Sequence, residues 1–96
     1  MLKNFVSTTV ENSAVTVCTA SSGTELSIMS TMLNGGETGG DVTLNFSTGF
    51  TCSFTLDAYD TIVLDNKINL PTGASFTVNA TASGMKVMVS AAELAV

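Results

Sequence analysis

Histidine, arginine and tryptophan are absent from this 96-residue sequence, and there are only three lysines, two cysteines, one tyrosine and one proline. Each shortage removes a class of function. Without histidine the commonest general base is missing, and neither Cys18 nor Cys52 has an imidazole to activate it, which excludes cysteine-type hydrolysis. Without histidine or a C-x-x-C spacing there is no zinc-type ligand set. Lys3, Lys67 and Lys86 are scattered among eight acidic residues for a net charge of -5, so binding to nucleic acid by phosphate neutralisation is disfavoured. No apolar run approaches the ~20 residues of a membrane span. The start MLKNFVSTTV has one lysine and no apolar stretch, so no signal peptide and no membrane partner are expected.

The remaining chemical features also have plainer explanations. Asp57 with Asp60, or Asp60 with Asp65, could form a carboxylate pair of the glycosidase kind, but acids at strand ends usually serve as solvated turn formers. The DAYDTIVLD stretch lacks the oxygen-ligand spacing of a calcium loop. GGETGG superficially matches a phosphate-binding loop, yet no helix or lysine follows it, so it reads as a connector. The Asn45 and Asn79 glycosylation matches are chance products of a Ser/Thr-rich chain. The sequence predicts no enzyme, no catalytic residue, no cofactor and no metal.

What is present is apolar alternation on a neutral polar background. The composition is 45% hydrophobic and 11% charged, against about 25% charged in an ordinary soluble domain. A surface of Ser, Thr, Asn and Gly suits a protein packed into an assembly, where few charges need desolvating. The length predicts one domain over residues 1–96, of modest free-standing stability. Period two dominates. DVTLNF sets Val42, Leu44 and Phe46 against Asp41, Thr43 and Asn45, and TCSFTL sets Cys52, Phe54 and Leu56 against Thr51, Ser53 and Thr55. ASFTVNA and MKVMVS repeat the scheme with Phe76 and Val78, then Met85, Val87 and Val89, and the Gly84 connection predicts that they form an antiparallel hairpin. Pro71 ends the strand before them.

Upstream, KNFVSTTV and SAVTV read as strands, with residues 1–10 an N-terminal arm or edge strand. TELSIMSTML places Leu26, Ile28 and Met32 on one face and Met29 and Leu33 on the other, which calls for a second layer or a partner over it. Contiguous Ile62, Val63 and Leu64 predict burial on both sides, with a bend at Asp65-Asn66. The glycine-rich loop 34–40 is expected to be flexible or ordered by a neighbour. Alternation puts Cys18 opposite Val15 and Val17, and the two cysteines are expected to stay reduced, as in cytoplasmic assembly. The C-terminal SAAELAV is expected to be extended against the sheet. The fold class is all-β: a single β-sandwich of about eight antiparallel strands, jelly-roll-like.

The run LPTG, ASFTVNA, a small-residue turn and MKVMVSAAEL resembles the close of small jelly-roll or β-sandwich proteins found on tailed-bacteriophage virions. The matching positions are Pro71, Gly73, Phe76, Val78, Val87, Val89, Ser90 and Glu93. TELSIMSTMLN followed by DVTLNF is similar to their long early strand and loop, so the resemblance covers residues 24 to 93. It implies a virion structural role, foremost a capsid decoration or cement protein, with tail, neck and fibre components as relatives. The expected partners are a major capsid protein and further copies of the chain, a trimer foremost, located on a virion assembled in the host cytoplasm. The residues expected at subunit or capsid contacts are Phe5, Met29, Leu33, Gly35, Gly36, Glu37 and Met88. A tail, neck or fibre component, including a receptor- or glycan-binding module, is the alternative.

Overall fold

The structure, a computed structural model, describes residues 1–65 and 67–96. The expected bend at Asp65-Asn66 includes Asn66, which lies outside the described residues. Among the described residues nine strands follow one another: β1 (Leu2–Thr8), β2 (Ala14–Thr19), β3 (Thr24–Asn34), β4 (Gly40–Phe46), β5 (Phe50–Leu56), β6 (Thr61–Leu64), β7 (Ile68–Leu70), β8 (Ser75–Ala80) and β9 (Lys86–Ala95). All strand pairings are antiparallel.

The pairings β1 with β9, β2 with β8, β3 with β6 and β7, and β4 with β5 trace one long ribbon doubled back at the turn 47–49. Rolling that ribbon brings β9 beside β3 and β8 beside β4, giving sheets ordered β1-β9-β3-β6 (with β7 also on β3) and β2-β8-β4-β5. This is jelly-roll order, and the expected all-β sandwich is what the chain forms. The reason is the period-two pattern: each strand has one apolar face, and two such sheets bury those faces against each other. Phe76, Leu26, Ile28, Leu44, Leu70, Val87 and Val89 are fully buried between them, and Phe46 stacks on Phe76 with ring centroids 4.5 Å apart.

Four local expectations are corrected. First, β8 and β9 are not a hairpin. Residues 81–85 arch from one sheet to the other, held by Thr9, whose backbone N–H donates to the Met85 carbonyl (2.8 Å) and whose hydroxyl donates to the Ala82 carbonyl (2.8 Å). Second, a bulge between Ile28 and Ser30 inserts Met29 opposite β9 and shifts the phase of β3 by one residue. Leu33 therefore joins Leu26 and Ile28 in the core, and Met32 faces out. Third, a register shift between Thr16 and Cys18 turns both Val17 and Cys18 inward, so Cys18 is a core residue. Fourth, Val63 is 62% exposed, because β6 is an edge strand with only its Ile62 and Leu64 face covered.

The C-terminal run, by contrast, is extended as expected, inside β9 and paired with both β1 and β3. Residues 2–8 form an edge strand rather than a free arm.

Candidate functional site

The surface of greatest interest lies on the outside of the β1-β9-β3-β6 sheet. Cross-strand register sets Val6 opposite Met88, Met88 opposite Met32, and Met32 opposite Val63. These four form an apolar row across the full width of the sheet, with Val6 65%, Met32 38% and Val63 62% exposed and Met88 half-buried between its neighbours. Met29, thrown outward by the bulge, adds a fifth exposed apolar side chain on the same strand.

Hydrogen-bonded polar rows flank the apolar one. On one side lie Thr8, Lys86, Asn34 and Thr61, where Lys86 Nζ donates to Thr8 Oγ1 (2.7 Å) and Asn34 Nδ2 donates to Thr61 Oγ1 (2.9 Å). On the other side Ser90 Oγ donates to Asn4 Oδ1 (2.8 Å). Lys86 and Glu25 are the charged residues at outward positions of β1, β3 and β9. An apolar centre rimmed by hydrogen-bonded polar groups, neutral apart from Lys86, is the anatomy of a protein-docking patch.

At one end of the sandwich the connections 35–39, 57–60 and 81–85 meet. The glycine loop is tied to its own chain: Gly35 N donates to the Asp60 carbonyl (2.8 Å), Tyr59 N to the Gly36 carbonyl (2.8 Å) and Gly36 N to Asn34 Oδ1 (2.9 Å). Glycine is required at the contact, because a Cβ on Gly35 would overlap the Asp57 carbonyl oxygen, and Gly39, at φ +67°, stands as close to the Leu56 carbonyl. Beside the loop, Asn34, Glu37, Thr38, Tyr59, Ser83 and Lys86 line an open hollow of about 370 Å³.

The residues expected at contacts therefore separate. Met29 and Met88 lie on the outer face, and Glu37 is exposed on the loop. Gly35 is buried and Gly36 half-buried within the loop packing. Phe5 packs half-buried against the core from the inner side of β1, and Leu33 is 1% exposed, so neither is presented to a partner. Val6, Met32 and Val63 were missed. Alternation against Phe5 could have placed Val6, whereas Met32 depends on the bulge and Val63 on the one-sided cover of β6.

Among the described residues, no three Asp, Glu or Cys side chains gather in a metal-holding group. The cysteines are free thiols, and burial pushes the Cys18 thiol up to about 11, away from nucleophilic use. The sequence matches no protein-family model and no curated protein.

Proposed function

We propose that this chain is a structural protein of a tailed-phage virion, a capsid decoration or cement protein that docks the outer face of its β1-β9-β3-β6 sheet onto the shell. The observation that carries the reading is the apolar row Val6, Met88, Met32 and Val63 between two hydrogen-bonded polar rows. It is supported by the resemblance of residues 24–93 to small virion sandwiches and by the low charge of the chain. A protein that binds only the assembled lattice stabilises that lattice by mass action, and burying an apolar row across a joint between capsid subunits adds to it at ~25 cal/mol per Å² of apolar surface.

The test is co-sedimentation with shells stripped of their accessory proteins. Saturation in a fixed ratio is expected, as is loss of binding on Met32→Lys. A correctly folded protein that stays in the supernatant at every concentration sinks the capsid reading.

A second reading, a receptor- or glycan-binding module of a tail or fibre, draws on exposed Tyr59 in the open hollow it lines with Asn34, Glu37, Thr38, Ser83 and Lys86. Binding to host cells or glycans that disappears on Tyr59→Ala would favour it.

A further inference from the structure

The edges of the sandwich are unequally protected. An edge strand presents unpaired N–H and C=O groups, and soluble proteins blunt such edges with charge, proline, bulges or brevity. β1 carries Lys3, tied to Glu93 at 3.0 Å. β2 is interrupted by its bulge between Thr16 and Cys18. β6 and β7 are four and three residues long, with Asp65 and Lys67 between them, 3.3 Å apart. β5 has none of these devices. Its sequence FTCSFTL runs for seven residues without charge, proline or glycine, and it pairs β4 along its whole length with no register shift. Among the described residues no strand lies on its other side.

β5 also borders the open flank of the sandwich. There Phe50, 61% exposed, lines a mostly apolar cleft of about 480 Å³ between the sheets together with Cys52, Phe54, Leu64 and Ile68, with the charged Asp65 and Lys67 also on its wall. An uncovered apolar flank next to an unguarded strand edge is the kind of surface that a further strand completes.

We propose that this strand is supplied by a second copy of the chain: β5 pairs with β5, antiparallel about a twofold axis at Ser53. The four-stranded sheets of the two copies then become one continuous sheet. The pleat sets the register. With Ser53 opposite Ser53, Thr51 meets Thr55 and Cys52 meets Phe54, so outward neutral side chains meet outward ones and inward apolar ones meet inward ones. A slip of one residue would oppose the two kinds.

Charge sets the direction. Asp57 and Asp60 follow the C-terminal end of β5, and Asp41 accepts from Thr55 there (2.7 Å), whereas the Ser47–Gly49 turn before it is uncharged. Antiparallel pairing places each acidic end beside the neutral turn of the other copy. Parallel pairing would put the acidic ends together in a chain of net charge -5. The axis stands normal to the sheet, so both inner faces stay on one side and the two cleft mouths face each other, each covered by the other copy. The paired edge is β5, whereas the proposed shell-binding face is the outside of the other sheet; Val63 belongs to both that apolar row and the cleft lining, and the strand pairing itself does not depend on the shell-binding reading.

The test is the solution mass of the full chain by light scattering across the micromolar range. The expected mass is twice the 9.8 kDa of one chain. Ser53→Lys sets two ammonium groups at the axis and should weaken association by about tenfold or more, with an unchanged far-UV spectrum showing that the fold persists. In a Cys52→Ser, Ser53→Cys variant, a short bis-maleimide should join two copies covalently, since buried Cys18 is shielded from the reagent. A monomer throughout, a trimer, a dimer indifferent to Ser53→Lys, or a dimer that the reagent does not join would each overturn the proposal.

Discussion

The two sheets have equivalent inner faces and different outer ones. Inside, each contributes fully buried aliphatic or aromatic side chains, with Leu26, Ile28, Val87 and Val89 on one side and Val42, Leu44, Phe76 and Val78 on the other. Outside, the β2-β8-β4-β5 sheet presents Thr16, Thr77, Asn45 and Thr51 in one row and Ala14, Asn79, Thr43 and Ser53 in the next. Side-chain hydrogen bonds knit it, such as Thr51 Oγ1 to Asn45 Oδ1 at 3.2 Å. The β1-β9-β3-β6 sheet interrupts the same kind of surface with an apolar row. Folding requires only the inner faces, so the apolar row outside is not needed by the monomer, and it is the feature on which the proposed docking face rests.

The largest effects should be equal in the two sheets. Phe76→Ala and Leu33→Ala each remove a fully enclosed side chain, one per sheet, and should cost about 3–5 and 2–5 kcal/mol respectively in denaturant unfolding. A small effect at Leu33 would mean that the phase of β3 is not shifted.

The bulge in the other sheet gives the next effect. Cys18 titrates from an ordinary value of 9.0 to about 11 in the folded chain because burial disfavours the thiolate. A raised folded value means that the native state holds its proton more tightly. The stabilisation is full below about pH 9 and is lost as pH rises towards 11, by roughly 2–3 kcal/mol. Cys18→Ala should abolish that slope in a comparison of unfolding at pH 8 and pH 11.

Thr31 sharpens the contrast from the other direction. It sits in an inward position after the β3 bulge, 0% exposed, and its hydroxyl has no partner among the described residues. Thr31→Val should stabilise by about 1 kcal/mol and raise the Tm by about 4–8 °C. The smallest stability effects belong to the outer faces: Met32→Ala and Asn79→Ala should each stay within about 0.5 kcal/mol. Shell binding should separate them, with Met32→Lys losing co-sedimentation and Asn79→Lys retaining it.

Much of this molecule was legible as sequence because alternation is a local property. DVTLNF, TCSFTL and ASFTVNA became β4, β5 and β8 with the expected faces inward, and Pro71 follows β7 directly. The site was less legible. Met29 and Met88 were found on the outer face, but Leu33 and Met32 exchanged roles because one inserted residue reverses every later side chain. Phe5 and Val6 are adjacent and both apolar, and only the pairing of β1 with β9 decides that Val6 faces out.

The sequence alone determined that the chain is all-β, that its strands each have one apolar face, and that histidine-based chemistry is closed to it, since these depend on composition and on neighbours within a few residues. Tertiary structure decided which strands pair, where the two bulges fall, and that the 81–85 connection crosses between sheets. It also assembled Val6, Met88, Met32 and Val63 into a single row. Those outcomes rest on contacts between residues as far apart as Val6 and Met88, whose pairing depends on how the whole ribbon rolls up to cover its apolar side.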